Sequence, residues 1–217
     1  MSQRSLILLS GCGNRDGSEI HECVCAMLAL DQAGFDMAFT APDMEQAVTI
    51  SHLTGSPAPA RNVLEEAARF ARGRIRPVAD ISVSDFDILV IPGGMGAALT
   101  LCDYALRGDG RGYEVEPSVR ALVTSAWKAS KPIGAMCIAP MVLAACLPGV
   151  TVTLGSECDA AVHARAMGAK TLECSATDAV VDEDFRVVTT PAYMVARRVS
   201  EIHQGASRMV EELESLL

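Results

Sequence analysis

Short apolar runs alternate with amphipathic segments along most of the chain. Several of these runs contain no polar residue, which is typical of parallel strands that helices cover on both faces. The pattern predicts strands at residues 5–10, 36–41, 87–91, 132–136, 151–154, 179–181 and 186–190.

Between these runs, apolar residues recur at intervals of three and four positions, which indicates helices with one buried face. The first such stripe consists of Ile20, Cys23, Val24, Met27 and Leu28, and others lie within 63–71, 119–127 and about 192–217. Alternating strands and helices favour a mostly parallel sheet with helices on both faces. We therefore expect an α/β protein, and its 217 residues suit one domain over 1–217.

The overall charge and the length of the apolar runs disfavour binding to nucleic acids and membranes. The net charge is −9, and an acidic surface repels both nucleic-acid phosphates and anionic lipids. No apolar run approaches the roughly 20 residues of a membrane-spanning helix. The apolar run at residues 6–9 is also too short for a secretory signal. We therefore expect a cytoplasmic protein that binds neither nucleic acid nor membranes.

The spacing of the eight cysteines is typical of neither a zinc site nor a disulfide scaffold. No C-x-x-C pair occurs, and no histidine falls at a spacing typical of a metal site. In a reducing compartment most of these cysteines should be small buried hydrophobic residues. The sequence therefore predicts no metal and no other cofactor, and leaves the question of whether one cysteine differs from the rest.

Cys137 is the strongest candidate for a reactive residue. It follows the predicted strand 132–136, and ligands of such sheets bind beyond the carboxyl ends of the strands. A nucleophile on a tight strand-to-helix turn needs small residues two positions before and after it, which Ala135 and Ala139 supply. The N-terminus of the helix that follows would favour the thiolate. The same pattern also fits an inert core cysteine between a strand and its helix.

A second strand-end loop contains Gly93 and Gly94, directly after the predicted strand 87–91. Glycines allow backbone N–H groups to approach a ligand closely, as an oxyanion-binding site requires. We expect the N–H groups of Gly94 and Ile138 to form such a pair of donors. A plain tight turn would give the same sequence pattern.

The loop at residues 11–19 leads from the first strand into the first helix. Its Gly11-x-Gly13 pattern resembles a dinucleotide-binding loop, but the next glycine, Gly17, falls one position too late. Binding of NAD or FAD is therefore disfavoured.

Glu19 and Glu22 lie three positions apart at the start of the first helix. The apolar stripe of that helix places Glu19 at its flank, near the site, and Glu22 on the far side. Glu19 has an alternative role in a capping box with Asp16. His21 is a possible neighbour of the site, although a surface or hydrogen-bonded structural role is commoner for each of the four histidines.

Several longer motifs resemble one known family. They are Ser10-Gly11-Cys12-Gly13 with Asp16-Gly17-Ser18-Glu19-Ile20-His21-Glu22, Ala41-Pro42-Asp43, His52-Leu53-Thr54-Gly55, Arg61-Asn62-Val63-Leu64, Pro92-Gly93-Gly94-x-Gly96-Ala97-Ala98, Lys131-Pro132-Ile133-Gly134, Cys137-Ile138-Ala139-Pro140 and Val188-Thr189-Thr190-Pro191-Ala192-Tyr193-Met194. They run in order over nearly the full length. On these motifs the chain resembles the ElbB-type isoprenoid-biosynthesis glyoxalases, a branch of the PfpI and class I glutamine amidotransferase-like superfamily.

This resemblance implies a flavodoxin-like three-layer sandwich that usually forms a homodimer. It also implies a glyoxalase activity that needs neither glutathione nor metal and converts glyoxal, a small carbonyl substrate, to glycolate. In the superfamily the cysteine of the turn pairs with a glutamate of the first helix. The cysteine maps onto Cys137 and the glutamate onto Glu19 or Glu22. We prefer Glu19 and keep Glu22 as the alternative.

Two departures from the family pattern bear on the chemistry. Most relatives have histidine directly after the cysteine, where this chain has Ile138. Amidotransferases carry His-Pro-Glu near the last strand, where this chain reads Thr190-Pro191-Ala192. Glutamine hydrolysis is therefore disfavoured. Two alternatives to a glyoxalase remain: a redox-sensing or binding protein that uses the same cysteine, and amidase or deglycase chemistry on another carbonyl compound.

Overall fold

The computed structural model of the protein describes residues 3–107 and 109–217. Its strands are β1 (Arg4–Leu8), β2 (Asp36–Ala41), β3 (Arg76–Pro77), β4 (Ile88–Ile91), β5 (Ile133–Met136), β6 (Thr151–Val152), β7 (Lys170–Thr171), β8 (Val180–Asp182) and β9 (Val187–Thr190). Its α-helices are α1 (Ile20–Gln32), α2 (Val63–Ala67), α3 (Pro117–Lys128), α4 (Pro140–Cys146), α5 (Asp159–Ala166) and α6 (Val199–Ser215). Within the described residues, no helix combines the length and the apolar character needed to cross a membrane.

Seven of the strands form a central sheet in the order β3-β2-β1-β4-β5-β9-β8. All neighbouring strands run parallel except β8 and β9. Every residue of β4, β5 and β9 is buried, as is all of β1 after its first residue. This burial explains why the corresponding sequence runs contain almost no charge. The predicted α/β, flavodoxin-like sandwich with a mostly parallel sheet is confirmed.

The predicted strand at 151–154 and the predicted start of the last helix differ from the structure. The run predicted as a strand at 151–154 contributes only β6, which pairs with β7 in a separate two-stranded sheet. The last helix begins at Val199 instead of about residue 192, because Ala192 has a positive φ of 43° that an α-helix does not accommodate. The residues between β9 and α6 form a one-turn 3₁₀-helix at Ala192–Met194 instead.

The first helix is rotated relative to the prediction. Its buried residues are Glu22, Cys23, Cys25, Ala26, Ala29 and Leu30. The apolar residues Ile20, Val24 and Leu28 are 46%, 51% and 42% exposed. The predicted stripe was therefore misplaced by part of a turn. The actual inner face consists mostly of small residues, which allow α6 to pack closely against α1.

The carboxyl ends of three adjacent strands, β1, β4 and β5, bring their loops together. Backbone hydrogen bonds join two of these loops: Gly96 N–H donates to the Gly17 carbonyl at 3.0 Å, and Glu19 N–H donates to the Gly93 carbonyl at 2.9 Å. The third loop carries Cys137. The three glycine-rich or small-residue segments singled out in the sequence therefore meet at one edge of the sheet.

Candidate active site

Cys137 occupies a strained backbone position between β5 and α4. Its φ of 59° lies in the left-handed region, which costs a non-glycine residue about 1–2 kcal/mol. The Cys137 N–H donates to the carbonyl of Thr190, at the end of β9, at 3.0 Å. Ala135 and Ala139 are fully buried on either side of the turn. The turn therefore has the geometry of a nucleophile elbow, as the small flanking residues indicated.

Glu22 lies beside the Cys137 thiol. Both side chains border the Cα atom of Gly93. A Cβ atom added to Gly93 would lie 2.5 Å from Cys137 Cβ and 2.5 Å from Glu22 Oε2. The carboxyl is fully buried, and its other oxygen, Oε1, accepts a hydrogen bond from Tyr193 N–H at 3.2 Å. A buried carboxyl and a thiol thus face each other across a glycine that leaves room for both.

Burial and the contact between the two groups control the protonation of this pair. Burial raises the pKa of the Glu22 carboxyl from 4.5 to about 7. Burial also raises the pKa of the Cys137 thiol well above its ordinary value, and the charge of an ionised Glu22 raises it further. These effects outweigh any preference for thiolate at the N-terminus of α4. The hydrogen bond from the Cys137 thiol lowers the pKa of the Glu22 carboxyl, although less than burial raises it. An ionised Glu22 therefore faces a protonated thiol, and the pair carries at most one negative charge near neutral pH.

We expect Glu22→Gln to remove a pH dependence from the stability of the protein. Because the carboxyl has a pKa of 4.5 when free and about 7 when folded, only the folded state holds a proton between these values. Protonated Glu22 therefore contributes fully to the free energy of unfolding below pH 4.5. This contribution, on the order of 3 kcal/mol, is lost as the pH rises through 7. Glutamine cannot ionise, so urea unfolding of the variant should not show this decline from acidic to neutral pH.

The matched control is Glu211→Gln, which changes a carboxyl on the exposed face of α6. This variant should follow the pH dependence of the wild type. If Glu22→Gln also follows it, Glu22 is ionised across the whole range and the assigned protonation is wrong.

Glu19 occupies a different place from the one preferred on sequence grounds. It is the N-cap of α1, and its Oε2 accepts a hydrogen bond from Glu22 N–H at 2.7 Å. A residue that caps a helix folds back over the first turn, whereas Glu22, within that turn, points toward the sheet. The residue beside the sulfur is therefore Glu22, and not Glu19, which was preferred on sequence grounds. Asp16 is not the cap of this helix: its Oδ2 accepts hydrogen bonds from Arg61 Nη2 at 2.5 Å and from Ile50 N–H at 2.7 Å.

The backbone donors predicted around the sulfur are in place. The N–H groups of Gly94 and Ile138 donate toward the Cys137 sulfur and lower its pKa, although less than burial raises it. Gly94 has a φ of 97°, and a Cβ there would lie 2.4 Å from Glu19 N and Gly17 O. Only glycine fits this position. The Gly93 carbonyl accepts a hydrogen bond from Glu19 N–H. Because Gly93 has no side chain, it leaves space for the Cys137 thiol and the Glu22 carboxyl.

A cavity of about 650 Å³ opens above Cys137. Its lining includes predicted residues and others that the sequence did not single out: Asn14, Glu19, His21, Gly94, Met95, Tyr104, Cys137, Ile138, Tyr193 and Met194. For two of these lining residues, Tyr193 and Met194, the sequence offered a signal, because they belong to the motif directly after the last strand. Tyr104 had no comparable signal. A small molecule that enters the cavity therefore reaches the sulfur through a mostly apolar wall.

His21 joins the site through two polar neighbours. Its Nδ1 lies 2.8 Å from the Tyr193 hydroxyl and 3.8 Å from Glu19 Oε1. The other histidines lie elsewhere: His52 is near Asp16, His163 binds the hydroxyl of Tyr104, and His203 lies on α6. The structure thus brings one histidine to the cavity.

Curated proteins similar to this chain include two mammalian relatives. The chain is 38% identical to the "ES1 protein homolog, mitochondrial" of Rattus norvegicus over 98% of its own length and 84% of that protein. It is also 38% identical to the human "Glutamine amidotransferase-like class 1 domain-containing protein 3, mitochondrial", over 98% of this chain and 83% of that protein. Since both are named mitochondrial, the expectation of a cytoplasmic protein is wrong. The short N-terminal apolar run argued only against secretion.

Solved structures similar to this one include an isoprenoid biosynthesis protein with an amidotransferase-like domain from Ehrlichia chaffeensis. The TM-score is 0.90 at 32% identity, over 99% of this chain and all 100% of that one. Glyoxalase III of Candida albicans has a TM-score of 0.63 at 13% identity, over 99% of this chain and 97% of that one. The second similarity concerns the fold alone.

The family assignment rests on a match over most of the chain. The sequence model of the DJ-1/PfpI family matches residues 13–197. This range includes Glu22, Gly93 and Cys137 and all of the three loops at the site except residues 11 and 12. The superfamily indicated by the sequence motifs is thus confirmed, whereas the names of the relatives do not fix the ElbB-type branch. The chain belongs to the DJ-1/PfpI family.

Proposed function

We propose that the protein is a cysteine-dependent glyoxalase that converts a 2-oxoaldehyde to the 2-hydroxy acid without glutathione or metal. The observation that carries the proposal is the pairing of Cys137 with Glu22 below an open cavity, beside the N–H groups of Gly94 and Ile138. The resemblance to ElbB-type glyoxalases supports it. So does the fold shared with glyoxalase III of Candida albicans.

In the first step, the Cys137 sulfur adds to the aldehyde carbon. Ionised Glu22 accepts the thiol proton as the carbon–sulfur bond forms, and passes it to the oxygen of the new hemithioacetal. While that oxygen carries negative charge, the N–H groups of Gly94 and Ile138 donate hydrogen bonds to it. The buried carboxyl thus compensates for a thiol that is protonated at rest.

The second step moves hydrogen between the two carbons. A base removes the C–H proton of the hemithioacetal carbon, and the electron pair forms a carbon–carbon double bond as the π pair of the neighbouring carbonyl moves to its oxygen. The hydroxyl proton of the hemithioacetal carbon passes to this oxygen through the enediol. Return of a proton to the neighbouring carbon gives the thioester of the hydroxy acid. Water then attacks the thioester carbonyl, the carbon–sulfur bond breaks, and the thiol regains its proton. The whole sequence consumes water and needs no oxidant or reductant.

The test is turnover by the purified protein with a chelator present and glutathione absent. The substrates are glyoxal, methylglyoxal and phenylglyoxal, and the hydroxy acids are quantified by chromatography. A cavity of about 650 Å³ leaves most of its apolar wall unfilled by glyoxal. Burial of a phenyl ring contributes about 1.5–3 kcal/mol, so we expect KM for phenylglyoxal to be about tenfold or more below that for glyoxal. Absence of product from all three aldehydes would refute the proposal.

A second candidate function is redox sensing by Cys137. The buried Glu22 carboxyl favours it, because a protonated carboxyl beside the sulfur can stabilise an oxidised form by hydrogen bonding. Mass spectrometry after mild peroxide treatment distinguishes the two functions. Selective oxidation of Cys137 in a protein that turns over none of the aldehydes would replace the glyoxalase with a sensor.

We also propose that the protein forms a homodimer through the exposed face of α1. Ile20, Val24 and Leu28 form an apolar stripe along this helix, and each is more than two-fifths exposed. Val24→Glu should convert a dimer to a monomer in size-exclusion chromatography with light scattering. The matched control is Val162→Glu on α5, where the side chain is 47% exposed outside this stripe. A monomeric wild type, or a Val24→Glu dimer, would contradict the proposed interface.

A further inference from the structure

We infer that His21 is the acid–base catalyst of the hydrogen transfer and that Tyr193 positions its ring. This inference rests on the proposed glyoxalase function and deepens it. The second step requires a group that takes a proton from one carbon and returns it to the next. Ile138, next to the nucleophile, cannot hold a proton. Glu22 is directed at the sulfur and held there by Tyr193 N–H. The proton carrier must therefore reach the substrate from another wall of the cavity.

His21 is accessible and held in place. It lies in the first turn of α1 and lines the same cavity as Cys137, with its side chain 53% exposed. Its Nδ1 lies 2.8 Å from the Tyr193 hydroxyl, and the two rings are tilted by 54° with centroids 5.9 Å apart. Among the described residues that line the cavity, it is the only histidine.

The neighbours of Nδ1 prepare Nε2 to act as a base. Glu19 Oε1 lies 3.8 Å from Nδ1, and a nearby carboxylate favours the tautomer with its proton on that nitrogen. In this tautomer Nδ1–H donates to the Tyr193 oxygen, and the lone pair of Nε2 is free for the substrate. The N-cap glutamate thus has a second role at the cavity.

The step assigned to His21 balances without another reactant. Nε2 accepts the C–H proton of the hemithioacetal carbon, the electron pair of that bond forms the carbon–carbon double bond, and the π pair of the neighbouring carbonyl moves to its oxygen. The hydroxyl proton of the hemithioacetal carbon then passes to this neighbouring oxygen. The same Nε2–H then donates its proton to the neighbouring carbon, and the thioester results. Glu22 handles the thiol proton and His21 the carbon-bound proton, so the two acid–base groups serve different atoms of the same intermediate.

The test compares His21→Ala with His203→Ala, which removes a histidine from α6, outside the cavity lining. We expect His21→Ala to lower kcat by about 10²–10⁴-fold, while the alkylation rate of Cys137 by iodoacetamide stays at the wild-type value. Added imidazole should restore part of the activity through the space left by the side chain. His203→Ala should match the wild type. Activity within about threefold of wild type, or a loss accompanied by slower alkylation, would overturn the assignment.

The role of Tyr193 is tested by Tyr193→Phe, which keeps the ring and the backbone N–H that binds Glu22. We expect a loss of about tenfold in kcat with KM unchanged, and no further loss in the His21→Ala background, because the hydroxyl acts only through that histidine. Additive losses would assign the hydroxyl a separate role and overturn this one.

The outcomes separate this inference from the function on which it rests. If Cys137→Ala is inactive and His21→Ala is active, the glyoxalase remains and the role of His21 is refuted. If the wild type converts none of the three aldehydes, both are refuted.

Discussion

Cys137→Ala is expected to abolish conversion of 2-oxoaldehydes, with a loss on the order of 10³-fold or more in kcat/KM. The covalent hemithioacetal cannot form without the sulfur, and neither Glu22 nor the backbone donors can replace it as a nucleophile. Turnover of glyoxal and phenylglyoxal under the same conditions as the wild type measures the loss. Alanine also retains the Cβ atom that packs against Gly93, so the turn between β5 and α4 should persist.

Cys146→Ala is the matched control for that substitution. Cys146 is a buried cysteine on α4 that is not among the residues lining the cavity, so a substrate there does not reach its thiol. This variant should retain wild-type turnover per folded molecule. Equal product from Cys137→Ala and the wild type would mean that the reaction does not pass through this sulfur.

Gly93→Ala should also cause a large loss of activity, through geometry alone. The added Cβ would lie 2.5 Å from Cys137 Cβ and Glu22 Oε2, and 2.9 Å from the Met136 carbonyl. The thiol and the carboxyl must then move apart. Overpacking of this kind costs about 1–3 kcal/mol of stability. A displacement of about 1 Å in catalytic groups lowers activity on the order of 10²-fold. Urea unfolding and turnover per folded molecule measure the two effects separately.

Gly134→Ala, in β5, is the control for added volume. There the new Cβ would lie 2.8 Å from Leu213 Cδ1 and 3.2 Å from Met209 Sδ, which are the ends of flexible side chains. Stability should fall without displacement of Glu22 or Cys137, so turnover per folded molecule should be unchanged. Equal catalytic losses in the two variants would show that the spacing across Gly93 is not what limits the reaction.

The sequence predicted the layers of the fold better than the details of its helices. The apolar sequence runs that form β1, β4 and β5 were recognisable because strands buried on both faces have few polar residues. Strands of two residues, such as β3 and β7, have no periodicity to detect. The phase of α1 was wrong because its buried face consists largely of small residues and Glu22, whereas its larger apolar residues face outward. A hydrophobic pattern cannot distinguish a core face from an exposed apolar stripe.

The candidate site was predicted where its residues are local in sequence. The turn at Cys137 and the donor Gly94 follow from small residues at fixed offsets. The choice between Glu19 and Glu22 depends on where α1 begins, and a shift of one residue rotates each side chain by about 100°. Tyr193 contacts Glu22 and His21 from far along the chain, and no spacing rule relates residues so distant.

The borders of the central sheet limit how this protein can associate. On one side the sheet ends in β3, which has two residues, one of them Pro77, and proline offers no N–H to an incoming strand. On the other side β8 is flanked by β6, where Thr151 N–H donates to Asp182 Oδ2 at 2.6 Å. Neither border is a good template for addition of another chain, so edge-to-edge growth into filaments is disfavoured even in concentrated solution.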